Sequence, residues 1–155
     1  MNGRKAIKII FIALLVWNFI IFSAPFFVSS KSVVLQAAGT FSYFFMDPVC
    51  HQLHGRSLFL AGLPLPVCAR CTFIYLGALF FFAFALLPRD FKSWPRNYYL
   101  IFALFFGAEI FFEKTALYHN FLELRIISGF LLGIVLSHLA LDGLLMKGFK
   151  VKKNG

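Results

Sequence analysis

Charge is scarce in this sequence. Asp, Glu, Lys and Arg together make up 14% of the 155 residues, against about 25% in a soluble domain. Acidic residues are the scarcest, six against fifteen basic. So little polar surface excludes a soluble monomer. Cysteine is limited to three residues, which excludes a disulfide-rich secreted mini-protein. The modest proline and glycine content, six and eleven residues, excludes a collagen-like fibre, and the apolar bulk excludes disorder. The chain also lacks a phosphate-binding glycine loop, a dinucleotide fingerprint and a serine nucleophile in a recognisable setting, so no organic cofactor is expected.

What is abundant is apolar and aromatic: 61% hydrophobic residues and 19% aromatics, 23 of them Phe. That composition belongs to a membrane protein, with the lipid bilayer as its first partner. The net charge of +9 would suggest nucleic acid in a soluble protein. Here the basic residues fill the gaps between apolar runs and there is no basic amphipathic face, so no nucleic acid is expected.

A helix needs about 20 apolar residues to cross the hydrocarbon core. Four stretches qualify, at about 7–28, 71–87, 98–117 and 126–146. The second is short, and its outer end is expected to continue back through Val67-Cys68-Ala69-Arg70. The fold class expected is all-α: one polytopic membrane domain spanning 1–155, with four transmembrane helices. With the N-terminus inside, the inner segments hold Arg4, Lys5, Lys8, Arg89, Lys92, Arg96, Lys147, Lys150, Lys152 and Lys153. The outer segments hold Lys31, Arg56, Arg70, Lys114 and Arg125. The excess of basic residues inside predicts a multi-pass protein of the cell membrane with both termini cytoplasmic. The first span has the basic start of a signal peptide, but its apolar run is long and Pro25 stands where cleavage would be expected. An uncleaved anchor is favoured. The phenylalanine-rich stretch Leu79–Phe84 reads as lipid-facing bulk.

The segment of about 40 residues from Ser29 to Arg70 is long for a connection in so small a protein. It is too apolar to be disordered, with 41–46 and 58–60 rich in Phe and Leu, so an ordered extracytoplasmic loop carrying a short interfacial or re-entrant helix is expected. All three cysteines lie here or at its edge. They read Cys50-His51-Gln52-Leu53-His54 and, 18 residues on, Cys68-Ala69-Arg70-Cys71. A Cys-x-x-Cys pair brings two sulfurs to one point when it opens a helix, and zinc commonly joins such a pair to a second Cys/His group. Cys50, Cys68 and Cys71 with one imidazole, from His51 or His54, would make a closed Cys3His zinc site. His54 has the more familiar spacing from Cys50. Three other readings of these residues stay open. Cysteines can simply fill a core. The Cys68/Cys71 pair beside Arg70 suits thiol–disulfide exchange, although quinone-linked disulfide-forming enzymes generally use two cysteine pairs. A small ion or metabolite transporter would use charged residues within the spans.

Those intramembrane charges are functional candidates by default. Glu109 lies about 16 Å along the third span from Tyr98 at 1.5 Å per residue, and Glu113 is one turn further on the same face. With Arg56, Arg70, Asn120 and Arg125 they are expected to form a polar pocket beside the cysteine–histidine group. Its arginines would balance a thiolate-rich ion or bind an anionic substrate, with a glutamate as base or as support to His51. The plainer expectation is that Glu109 or Glu113 pairs with Arg125 or Lys114 to hold two helices together. His138 and Asp142, four apart on the fourth span, read best as an interhelical hydrogen-bonding histidine and a boundary acid. Gly129 and Gly133 form a Gly-x3-Gly step that allows close helix approach within the bundle or in a homo-oligomer.

Cys50-His51-Gln52, Arg56-Ser57, Cys68-Ala69-Arg70-Cys71-Thr72, Tyr75 and Gly77 resemble the signature of a family of small predicted membrane proteins of bacteria and archaea, catalogued as a domain of unknown function. Asn120, Arg125, Gly129 and Gly133 resemble its later half. The likeness covers roughly residues 43–135. It implies no activity, so the chain is not assigned as an enzyme. It supports His51 over His54 as ligand, and Phe73 stands where the family often has glycine.

Overall fold

The structure is a computed structural model and describes residues 3–50, 54–87, 94–114 and 121–149, with the side chains of Gly3, His54, Glu113, Lys114 and 144–149 also left aside. It is mostly helical: α1 (Gly3–Val28), α2 (Val33–Met46), α3 (Ala69–Ala85), α4 (Arg96–Lys114) and α5 (Leu122–Phe149). Between α2 and α3 lie a 3-10 turn (His54–Arg56) and an antiparallel pair, β1 (Ser57–Leu60) and β2 (Leu63–Cys68).

The chain is mostly helical, as expected, and the hairpin is an element that the all-α expectation did not include. Ala61 (φ 52°) and Gly62 (φ 79°) are both left-handed, the requirement of the two-residue turn that matches strand twist. Pro64 and Pro66 rule out a helix through β2, and a two-stranded ribbon has only edges, where proline is tolerated. Ser57 pairs with Cys68, Phe59 with Pro64 and Leu60 with Leu63, with an irregularity between Ser57 and Phe59. Val67 and Cys68 are therefore strand, and α3 begins at Ala69. The helix expected in the long connection is α2. It folds back on α1, and a Cβ added at Gly39 would sit 2.7 Å from the Val28 backbone nitrogen. Pro25 is tolerated inside α1 near its end, where its carbonyl accepts from the backbone N–H (3.1 Å) and hydroxyl (3.0 Å) of Ser29.

α1 (over Arg4–Val28) and α5 (over Leu122–Gly143) are long and apolar enough to cross a membrane. α3, at 17 residues, is shorter, and α4 carries Glu109 and Glu113 within its 19. Large apolar side chains face outward along α1 (Ile9, Ile12, Val16, Phe19) and α4 (Ile101, Leu104, Phe105, Phe111). This is far more exposed apolar surface than a soluble monomer carries.

α3 is the central helix, packed on α5 and on α1, whereas α4 leans more lightly on α5. The α3–α5 contact is a glycine seam. A Cβ on Gly129 would meet the Arg70 carbonyl, one on Gly133 the Ile74 carbonyl, and one on Gly77 the Phe130 carbonyl. The Gly-x3-Gly step thus serves the bundle itself. Two apolar clusters fill the interior. One joins Ile7, Phe81, Phe82, Ala85 and Leu141. The other joins Ile21, Met46, Cys50, Leu65 and Val67. The phenylalanine stretch is accordingly divided: Phe80 and Phe84 are exposed, but Phe81 and Phe82 are core. Because lipid and core are equally apolar, composition does not distinguish the two faces.

Candidate metal centre

The second cluster is where the chemistry gathers. After α2 ends, the N–H groups of Val49 and Cys50 both donate to the Met46 carbonyl at 3.0 Å, turning Cys50 inward, where it is buried. β2 delivers Cys68 as the residue that caps α3, and Cys71 follows in the first turn. The three sulfurs lie within 4.8 Å of one another, and none of the three is in a disulfide. The Cys68 N–H donates to Cys50 Sγ at 3.1 Å, tying the end of β2 to the first of the three cysteines. Thr72 Oγ1 donates to the Cys68 carbonyl at 3.1 Å, fixing the start of the helix.

This donor set fits a soft or borderline cation. A tetrahedral zinc with Zn–S bonds of about 2.3 Å holds its sulfurs about 3.8 Å apart, which the observed triangle reaches by small side-chain rotations. Tyr75, one turn beyond Cys71, packs edge-on against Trp17 of α1 at 5.6 Å between ring centres. Asn18 is buried beside it, its Nδ2 donating to the Leu14 carbonyl at 2.8 Å and to the Tyr75 carbonyl at 3.4 Å. The Tyr43 hydroxyl of α2 donates to the Pro64 carbonyl, pinning the hairpin, and burial raises its pKa above the usual phenol value.

The other expected site residues divide. Arg70 Nη2 contacts Glu109 Oε1 at 2.7 Å, with 18% and 12% of the two side chains exposed, and Ser128 Oγ donates to the same oxygen at 3.1 Å. This is an interhelical ion pair, formed with Arg70 where the plainer reading named Arg125 or Lys114. Arg125 is buried on α5, one turn before Ser128, and Arg56 is exposed. His51 and Asn120 lie outside the described residues, as do the side chains of His54 and Glu113. Sequence reasoning missed Ser128, although its i+3 spacing from Arg125 was a usable signal. It also missed Trp17 and Asn18, the latter a lone amide in an apolar span.

A second polar group lies toward the opposite end of the bundle. His138 is buried. Its Nδ1 is hydrogen-bonded to the Tyr99 hydroxyl of α4 at 2.8 Å, with Asp142 Oδ2 at 3.4 Å from that hydroxyl. Trp94 stacks on its ring at 4.4 Å. Histidine bonded between helices is what the spacing suggested. Tyr99 and Trp94 as its partners were not foreseen.

Comparison with known proteins agrees with the membrane character of the fold. A family described as predicted membrane protein (DUF2085) matches residues 50–139, a stretch that begins on Cys50 and takes in Cys68, Cys71, Arg70, Glu109, Arg125 and His138. An uncharacterized protein of Methanocaldococcus jannaschii is 34% identical over 136 residues, covering 84% of this chain and 86% of its own. An uncharacterized protein of Methanothermobacter thermautotrophicus is 46% identical over 39 residues, 25% of this chain and 35% of its own. No solved structure matches.

Proposed function

From the premise that this chain belongs to the DUF2085 family of predicted membrane proteins, we propose that it is an integral membrane metalloprotein whose Cys50, Cys68 and Cys71 hold a zinc-type ion at the outer membrane face. The observation that carries this reading is the convergence of three thiols, from two separate stretches of the chain, within 4.8 Å. The backbone N–H aimed at one sulfur supports it. His51 or His54 completes a closed tetrahedron, and a closed site is structural: it joins the end of α2 and the hairpin to the start of α3. The single domain crosses the membrane four times, by α1, α3, α4 and α5, with both termini cytoplasmic. At 17 residues α3 is at the short end of spanning length, and the basic-residue count supplies the orientation.

The Cys-x-x-Cys opening of α3 supports a second reading, thiol–disulfide exchange by Cys68 and Cys71. Elemental analysis of the detergent-purified protein, with free thiols counted on the same sample, separates the two. About one zinc per chain, lost in Cys68→Ser together with much of the folded yield, is the result expected of a structural site. A metal-free protein with two of its three thiols oxidised would overturn it in favour of the redox pair.

A further inference from the structure

At the end of the bundle away from the cysteines, α1 and the C-terminal end of α3 enclose a cavity of about 290 Å³ lined by Arg4, Lys5, Ile7, Lys8, Ala85 and Leu86. From Cys68 to Ala85 the rise is about 26 Å at 1.5 Å per residue, close to the thickness of the hydrocarbon core. If the cysteines sit at one interface, this cavity therefore opens at the other, at headgroup depth. Its composition is one-sided. Among the described residues that line it, three are cationic and none is acidic. Arg4 and Lys8 are four apart on one helix face, an arrangement of like charges that disfavours the helix unless an anion intervenes. The floor is apolar: Ile7 and Ala85 are buried members of the adjoining core cluster. The volume lies at the lower edge of small-molecule sites, about 300–1,000 Å³, room for a headgroup rather than a large ligand.

Cations around the mouth and a methyl-lined floor suit one chemistry, a phosphate borne on something apolar. We propose that this cavity is a phosphate-binding site, occupied by the headgroup of an anionic phospholipid, with Arg4, Lys5 and Lys8 on the phosphate oxygens and Ile7, Ala85 and Leu86 against the glycerol and upper acyl chain. The inference rests on the chain's spanning the membrane and is independent of the metal.

The test uses the full chain in phosphatidylcholine nanodiscs and follows the thermal midpoint, with metal content measured on the same samples. Doping the discs with phosphatidylglycerol raises the midpoint. The triple variant Arg4→Gln/Lys5→Gln/Lys8→Gln loses that increment, while Lys31→Gln, an exposed cation outside the cavity, keeps it. Oleate, an anionic amphiphile without phosphate, gives a smaller increment. Inorganic phosphate added to undoped discs distinguishes the source: no shift supports the lipid headgroup, and an equal shift that the triple variant abolishes supports the phosphate site with a soluble occupant. An increment retained by the triple variant, matched by oleate, or absent from both the lipid and phosphate arms overturns the proposal. Because metal content is read alongside, failure here and failure of the metal reading are separately visible.

Discussion

Two neighbours of α5, the helices α3 and α4, are attached to it in opposite ways. Toward α3, α5 presents Gly129 and Gly133, and the helices meet backbone to backbone. Toward α4 it presents side chains with specific partners: Ser128 on Glu109, which also binds Arg70 of α3, and His138 on Tyr99. The first contact depends on the absence of atoms and the second on particular polar groups. Without a hydrophobic force between helices in lipid, these are the two means available, close packing of small residues and interhelical hydrogen bonds. The difference teaches where the molecule is stiff. The glycine seam holds the start of α3, and hence Cys68 and Cys71, in a fixed place, whereas α4 is held by a few replaceable bonds.

Filling the seam should have the largest effect. Gly133→Leu drives a side chain into the Ile74 carbonyl and the Ala78 amide and should cost about 3 kcal/mol or more, read as a collapse of folded yield and thermal midpoint. Normal yield and midpoint would show that the seam is not what fixes α3. Glu109→Leu comes next. It removes the carboxylate oxygen that Arg70 Nη2 and Ser128 Oγ share and should cost roughly 2 kcal/mol. Chemical unfolding in detergent reads the loss, and Arg70→Met in the same background should restore part of it. Metal content should not change, since the sulfurs lie on the stiff side; a fall in metal would erase the contrast drawn between the two sides. The smallest effect is expected of Tyr99→Phe, which removes the hydroxyl's interhelical hydrogen bonds to His138 and Asp142, each worth about 0.6 kcal/mol. A loss as large as that of Glu109→Leu would mean that α4 is anchored through His138 instead.

This contrast was only half legible in the sequence. Gly-x3-Gly announces close approach whatever its partner, and Cys-x-x-Cys with a third cysteine 18 residues earlier announces convergence, because both are local spacings with one geometric outcome. The Arg70–Glu109 bond is not local. Each residue reads as an intramembrane charge, but their pairing depends on how α3 and α4 are placed around α5. The hairpin was hidden for a different reason. Leu63–Cys68 is apolar at nearly every position, so period-2 alternation is absent, and only the two prolines argued against a helix. In the same way Phe81 and Phe84 look alike in a chain where both core and lipid accept phenylalanine, and only the fold separates them.

Cys68 belongs to two elements at once, the last residue of β2 and the cap of α3, with its N–H given to Cys50 Sγ. No slack residue separates strand from helix. A shift of Cys50 therefore turns the whole ribbon about the top of α3 and works against its second fastening, Tyr43 on Pro64. The ribbon's exposed tip at Ala61-Gly62 lies at the end remote from the cysteines. Faster limited proteolysis there is therefore the expected outcome of Cys50→Ala, and an unchanged rate would show that the sulfurs do not hold the ribbon.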